Sequence, residues 1–145
     1  MPFTKTFKNK ILSAICGKTN FTNTIYAALF IGNPEGNTPG TEVSATNYGY
    51  KRTLVCGYNS SSTNLMGTPS EGSVANTATI YFPEATGAWG TVDYVALYDS
   101  LTGGNLLGYA HIVNDAGTDT SLEINEGKVP LIRTGKFTIS FVDAQ

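Results

Sequence analysis

The sequence predicts an all-β domain, a two-sheet antiparallel β-sandwich of jelly-roll type with about seven or eight strands and one short N-terminal α-helix. The chain has 145 residues and is 41% hydrophobic but only 14% charged, a composition too apolar for a disordered chain and too uncharged for a coiled coil. Short apolar runs with a two-residue period recur along it, separated by glycine and proline turn signals. We therefore expect residues 1–145 to form a single sandwich domain.

Helical periodicity is found at the N-terminus, where Phe3, Phe7, Ile11 and Ile15 are spaced four residues apart and Gly17 follows as a stop signal. The first 18 residues carry four lysines and no acidic residue, whereas the rest has five basic and 11 acidic groups. This asymmetry has two interpretations. The lysines form a solvated helix face, or residues 1–18 form a basic arm that docks on an acidic partner. The candidate anchoring residues of the arm are Lys5, Lys8, Lys10, Lys18, Phe7 and Ile11.

Strands are predicted from the two-residue period that follows. Residues 25–31 are apolar on both faces, as in a central strand. After a loop rich in proline and glycine at 32–47, a strand is expected at 50–58 and, beyond a serine-rich loop at 59–73, another at 74–82, with Val74, Ala78, Ile80 and Phe82 on one face. A hairpin joins 92–99 to 106–113 through a turn that contains Gly103 and Gly104. The remaining strands are predicted at 121–124, 129–132 and 136–142.

Residues that could carry out catalysis are few. His111 is the only histidine and lies in a predicted strand, so a structural role is favoured. Asp93 and Asp99 flank another strand, but six residues of extended chain place them roughly 20 Å apart, which is too far for the carboxylate pair of a glycosidase. The sequence therefore predicts no catalytic residue.

Metal and redox sites are not favoured either. Asn114, Asp115 and Asp119 offer oxygen ligands without the spacing of a known calcium loop. Cys16 and Cys56 lack the neighbouring ligands of a zinc site. We expect buried free thiols in preference to a disulfide, and neither a metal nor a cofactor.

Aromatic side chains near loops are the remaining candidate site, as a glycan contact or a subunit interface. Sugar-binding sandwiches stack sugar rings on exposed aromatic faces, and tyrosine suits an interface because an apolar ring carries a polar tip. The alternative for the single tryptophan is packing at the end of the sandwich. The candidate residues are Trp89, Tyr48, Tyr50 and Tyr58.

Two classes of partner are disfavoured by charge and hydropathy. The net charge of −2 provides no attractive field for a phosphate backbone, so nucleic acid is not expected. The longest strongly apolar stretch, 25–31, is far shorter than the roughly 20 residues that cross a bilayer, and no secretory signal is recognised. We expect a soluble protein without a membrane partner.

Several short motifs occur in order along the chain, and the resemblance that they support runs from about residue 11 to residue 142. The most specific is WGTV at 89–92, and the others are KILSAI at 10–15, IYAALF at 25–30, GTEVS at 40–44, YGYKR at 48–52, FPEAT at 82–86, VALYD at 95–99 and GGNLL at 103–107. With these motifs the chain resembles a family of small virion proteins of tailed bacteriophages, of the tail-fibre-like or head-fibre (capsid decoration) kind. The serine-rich insertion at 60–72 and the lysine-rich start depart from the family pattern.

The resemblance implies a non-enzymatic structural protein without cofactors, either a capsid decoration (cement) subunit or a tail-fibre-like subunit that binds a symmetric particle lattice. Its implied partners are other virion proteins, major capsid or tail proteins, and further copies of itself, with a trimer expected. Its implied location is the virion, assembled in the host cytoplasm. The alternative is a carbohydrate-binding β-sandwich that recognises a cell-surface glycan through Trp89 and loop tyrosines.

Overall fold

The computed structural model describes residues 2–20, 24–44, 48–57 and 64–141. In these ranges it contains one α-helix, α1 (Lys5–Ile15), and eleven short strands that pair antiparallel. The predicted all-β class with an N-terminal helix is confirmed. The strands are β1 (Ile25–Ile31), β2 (Thr41–Glu42), β3 (Thr53–Cys56), β4 (Ser73–Ala75), β5 (Ile80–Tyr81), β6 (Gly90–Val92), β7 (Tyr94–Tyr98), β8 (Leu106–His111), β9 (Leu122–Ile124), β10 (Leu131–Ile132) and β11 (Thr138–Ser140).

A five-stranded sheet forms one layer of the domain. Its order is β2-β1-β7-β8, and β3 pairs with the same edge of β1 as β2 does. β1 pairs with β7 from Tyr26 to Phe30, so that Ala28 lies opposite Ala96. The hairpin of β7 and β8 and the central position of β1 agree with the sequence prediction, because an apolar run on both faces of a strand is stable only when both faces are covered.

The second layer consists of three two-stranded sheets, β4 with β11, β5 with β10 and β6 with β9. The strand predicted at 74–82 is divided because Asn76 is buried between β4 and β5. Its side-chain amide donates to the carbonyl oxygens of Ala78 and Arg133, and its oxygen accepts from the amide of Phe137. Ala78 is therefore exposed and does not share the buried face of Ile80 and Phe82, contrary to the prediction.

The main core lies between these layers. It combines β1, β7 and β8 residues such as Leu29, Leu97 and Leu107 with Ile80, Val92 and Ile124 of the small sheets. Among the described residues no helix combines the length and the apolar character needed to cross a membrane.

The N-terminal segment covers the outer edge of β8. The amide of Thr4 donates to the carbonyl of Leu107, and the amide of Tyr109 donates to the carbonyl of Pro2. Thr4 also caps α1, since its hydroxyl oxygen accepts from the amide of Phe7 at 3.3 Å. An exposed strand edge invites pairing with another chain, so this arrangement protects part of β8 and fixes the start of α1.

Candidate functional site

The outward side of α1 presents an unusual combination of side chains. Lys5, Lys8, Leu12 and Ile15 follow one another at spacings of three, four and three residues, which places them on one side of a helix. All four are exposed, Leu12 to 57% and Ile15 to 75%. We call these four residues the helix surface. It is a small apolar area with two positive charges beside it.

The six predicted anchoring residues divide into two groups. Phe7 is buried in the main core, Ile11 packs against that core, and the ammonium of Lys10 lies 2.6 Å from a carboxylate oxygen of Asp99. These three residues attach α1 to its own domain. Phe7 is buried there, so a particle contact through its side chain is wrong, whereas Lys10 and Ile11 are partly exposed and their role as contacts stays a prediction. Lys5, Lys8 and Lys18 are exposed, and their role as contacts stays a prediction.

Asp99 joins α1 to the turn between β7 and β8. It accepts hydrogen bonds from the backbone and side-chain nitrogens of Asn105, at 2.7 and 2.9 Å, and from Lys10. Partial burial opposes its ionisation, but the bonds from Asn105 and the charge of Lys10 outweigh that effect and lower the pKa of Asp99 to about 2. The charged form of Asp99 therefore stabilises the folded state.

Acid should weaken this connection in a defined pH range. Because the pKa of Asp99 is lower in the folded state, its contribution is present above about pH 4 and is lost as the pH falls towards 2. We expect Asp99→Asn to reduce the free energy of unfolding by about 1–2 kcal/mol at pH 7 and the difference from the parent protein to disappear near pH 2. Urea unfolding of both proteins at several pH values measures this. A difference that is constant down to pH 2 would contradict it.

Two of the four aromatic candidates are buried. Trp89 is 5% exposed and Tyr50 is 1% exposed; their rings meet edge-on with centroids 5.3 Å apart, and the indole nitrogen of Trp89 donates to the carbonyl of Tyr48. Neither ring offers a face to a sugar, so a glycan contact at Trp89 or Tyr50 is wrong and the alternative of packing is confirmed. Tyr48 is exposed, and Tyr58 lies outside the described residues.

A polar network beside β1 was not predicted. The hydroxyl of Tyr50 donates to Glu42 and accepts from the amide of Leu29, and burial raises the pKa of this hydroxyl strongly. Arg52 forms two hydrogen bonds to the carboxylate of Glu42, at 2.8 and 2.7 Å, and its guanidinium carbon lies 3.6 Å from the ring centre of Tyr98. The network therefore connects β2 with β7, and its residues bind one another.

The outer face of the five-stranded sheet carries a second group of aromatic side chains. Most of these side chains are half-buried, and they cover Ala28 and Ala96, which are fully buried. Each comes from a strand in which aromatic residues alternate with others, and this alternation is the sequence signal that could have identified the face. The residues are Tyr26, Phe30, Tyr94, Tyr98, Tyr109 and His111.

His111 and the two aspartates that flank β7 are used structurally. The His111 ring packs on Tyr94 with centroids 4.5 Å apart, and its Nδ1 lies 2.9 Å from the carbonyl oxygen of Ile112. Asp93 accepts from the amide of Gly32 at 2.7 Å, and Asp99 holds the turn described above. The structural interpretation of these residues is confirmed.

In the part of the chain that the structure describes, the two cysteines and the candidate calcium loop, Asn114, Asp115 and Asp119, do not form a common binding site. Cys16 and Cys56 are free, but Cys16 is exposed and Cys56 is half-buried, so the expected burial is wrong for Cys16. Burial raises the pKa of the Cys56 thiol. The Asn114 side chain accepts from the amides of Ala116 and Thr118 and so shapes its own turn. Within the described ranges no group of three His, Cys, Asp or Glu residues could hold a metal ion.

A β-domain whose polar groups are tied into its own fold, and which presents a charged and apolar helix surface, has the character of a structural protein with an interaction surface. A comparison with known protein families identifies the family to which the chain belongs. The family described as Podophage GP4 fiber I protein gp80 matches residues 2–140, and the chain belongs to this family. It is a phage fibre-like virion protein, as the sequence motifs suggested. A comparison with curated proteins gave no match.

Proposed function

We propose that the chain is a non-enzymatic fibre subunit that joins other virion proteins through the helix surface. The observation that carries this proposal is that α1 is fixed to the domain by Thr4, Phe7 and Lys10 while Leu12 and Ile15 remain exposed. Burying such side chains is favourable by about 25 cal/mol per Å² of apolar surface. Exposed apolar side chains beside charges are typical of the centre and rim of an interface.

The charges indicate the chemistry of the partner surface. Lys5 and Lys8 have no acidic neighbour in the first turn of α1, so a partner with carboxylates would gain attraction without displacing an existing ion pair. Weak contacts of this kind become strong when they are repeated in a symmetric assembly. This supports a fibre built from many copies, for which the trimer suggested by the resemblance is one arrangement.

Two finer alternatives concern where the subunit acts. A capsid decoration subunit could use the same surface, but membership of a fibre family favours a fibre. Recognition of a host glycan is less well supported, because two of its four candidate residues, Trp89 and Tyr50, are buried. We therefore propose attachment to the virion, and not glycan binding, as the role of this domain.

Charge reversal on α1 tests this proposal. We expect Lys5→Glu/Lys8→Glu to reduce incorporation into particles by about tenfold or more, because repulsion replaces attraction at every repeated contact. Glutamate in the first helical turn is favourable, so the melting temperature should not fall. The measurement is the amount of the variant in purified particles when it is supplied to phage that lack the parent gene.

A matched control is Lys51→Glu/Lys136→Glu, which changes the net charge equally at exposed lysines outside α1. It should be incorporated like the parent protein. Deletion of residues 1–18 is a poorer test, because it removes Phe7 from the core and Thr4 from the edge of β8. Normal incorporation of Lys5→Glu/Lys8→Glu would overturn the proposal.

A further inference from the structure

The loop residue Tyr48 combines an exposed aromatic ring with a backbone conformation that few residues of its size adopt. Tyr48 is 54% exposed, and its φ is 51°, in the left-handed region. For a residue with a Cβ atom this region is unfavourable, because the Cβ approaches the following carbonyl oxygen. Glycine and asparagine tolerate the region better. Tyrosine therefore lowers the stability of this turn, and the benefit of having it there must come from its ring.

The surrounding structure holds the backbone of Tyr48 in place. Its carbonyl oxygen accepts from the indole nitrogen of Trp89 at 2.9 Å and from the amide of Thr86 at 3.0 Å. Gly49 follows with a φ of 79°, and a Cβ atom added to it would lie 3.2 Å from the carbonyl oxygen of Glu84. Because Trp89 belongs to the main core, these contacts fix Tyr48 to a rigid part of the domain.

The ring of Tyr48 is supported by the neighbouring loop. A Cβ atom added to Gly87 would overlap Cδ1 and Cγ of Tyr48, so the ring lies against the Gly87 backbone. The φ of Gly87 is not positive, and the backbone there does not require glycine. The missing side chain at residue 87 therefore leaves room for the ring. Although the ring is supported on one side, more than half of Tyr48 stays open to solvent.

A fixed and exposed tyrosine ring is suited to contact another molecule. The ring has little conformational freedom left to lose on binding, and rigid tyrosines are frequent where protein interfaces concentrate their binding energy. The exposed residues on either side of Gly87 are Thr86 and Ala88, which are both small. A bound sugar is oriented by several polar side chains, whereas an apolar side chain of a protein requires only the ring and a flat surround. These neighbours favour a protein.

We propose that the Tyr48 ring contacts an apolar side chain of a neighbouring virion protein, and that Trp89 and Gly87 position the ring for this contact. The inference rests on the proposed function only in taking virion proteins as the neighbours of the chain. It adds a second contact outside α1, and a fibre subunit with neighbours on two sides uses two surfaces.

Replacing the ring with a side chain that suits the backbone tests the contact. We expect Tyr48→Asn to reduce incorporation into purified particles by about tenfold, because the contact is lost at every copy. The melting temperature should stay within about 2 °C of the parent value or rise, because asparagine tolerates the left-handed region. The assay supplies the variant to phage that lack the parent gene.

Two other asparagine substitutions serve as controls. Tyr81→Asn removes a ring that is 59% exposed on β5, and Glu71→Asn changes an exposed residue with a φ of 50°. The first control matches the lost ring, and the second matches the relief of backbone strain. Both variants should be incorporated like the parent protein.

Displacing the ring without removing it is a second test. In Gly87→Ala the added methyl group takes the position of the ring, which must turn away into solvent. Incorporation should fall as it does for Tyr48→Asn, and Gly87→Ala should have no further effect when the two substitutions are combined. Gly36→Ala, where an added Cβ meets no atom closer than 3.4 Å, should be incorporated like the parent protein.

Normal incorporation of Tyr48→Asn or of Gly87→Ala would overturn the inference. A fall of more than about 5 °C in the melting temperature of Tyr48→Asn would also overturn it, because the ring would then serve the fold. Normal incorporation of Tyr48→Asn into particles that adsorb poorly to host cells would assign the ring to a cell-surface glycan instead.

The proposed function can fail separately. If Lys5→Glu/Lys8→Glu is incorporated normally while Tyr48→Asn is lost from particles, attachment through the helix surface is wrong and the contact at Tyr48 stands. The reverse result keeps the helix surface and overturns the contact at Tyr48.

Discussion

Replacing Trp89 with alanine should lower the free energy of unfolding by about 3–5 kcal/mol. The indole is 5% exposed, meets the ring of Tyr50 edge-on, and donates to the carbonyl of Tyr48. Its removal leaves a cavity in the core and takes away one of the two hydrogen bonds to the carbonyl of Tyr48, which keeps the bond from the amide of Thr86. Urea unfolding followed by far-ultraviolet circular dichroism measures the change without depending on tryptophan fluorescence.

Two other variants calibrate this result. Trp89→Phe keeps a ring but loses the N–H donor, and we expect an intermediate loss. Tyr81→Ala removes an aromatic ring that is exposed on β5, and surface substitutions of this kind usually change stability by about 0.5 kcal/mol or less. A loss for Trp89→Ala as small as that for Tyr81→Ala would contradict the placement of the indole in the core.

Removing the carboxylate of Glu42 should also be costly, by about 3–5 kcal/mol. The side chain of Arg52 is only 7% exposed and is held between Glu42, the Tyr98 ring and the carbonyl oxygens of Ser100 and Gly103. In Glu42→Ala the guanidinium keeps its charge but loses its counter-charge in a site with little water. The Tyr50 hydroxyl loses its acceptor as well.

A double-mutant cycle separates the ion pair from the packing. Glu42→Ala/Arg52→Met removes both charges, and we expect it to be more stable than Glu42→Ala alone, because no uncompensated charge remains. Asp115→Ala is the comparison at the surface, since the ion pairs of Asp115 with Arg133 and Lys136 are long and exposed; we expect less than about 0.5 kcal/mol there. Equal losses for Glu42→Ala and Asp115→Ala would contradict the network.

Local patterns were sufficient to predict part of the fold. The apolar run of β1 and the glycine turn between β7 and β8 are properties of consecutive residues, and both elements lie where the sequence placed them. The division of the predicted strand 74–82 at Asn76 could not be predicted from consecutive residues. An asparagine in an alternating segment is compatible with a strand, and its burial depends on partners at Arg133 and Phe137, 57 and 61 residues away.

The same reason explains the errors at the candidate site. The four-residue spacing at the N-terminus correctly predicted a helix, but it does not say whether the apolar side meets the helix's own domain or a partner. Lys10 binds Asp99, 89 residues away, and Thr4 binds β8 across more than 100 residues. Trp89 between two glycines is compatible with an exposed loop and with a core position alike, and the tertiary fold decides between them.

The copy number of this chain in purified phage particles tests the central claim most directly. Quantitative mass spectrometry against a major shell protein provides it, on particles purified away from free protein. A fibre subunit should be present at a few to some tens of copies, as repeated attachment at symmetric sites requires. Hundreds of copies would contradict a fibre and indicate capsid decoration, and absence of the chain from the particles would contradict a structural role in the virion.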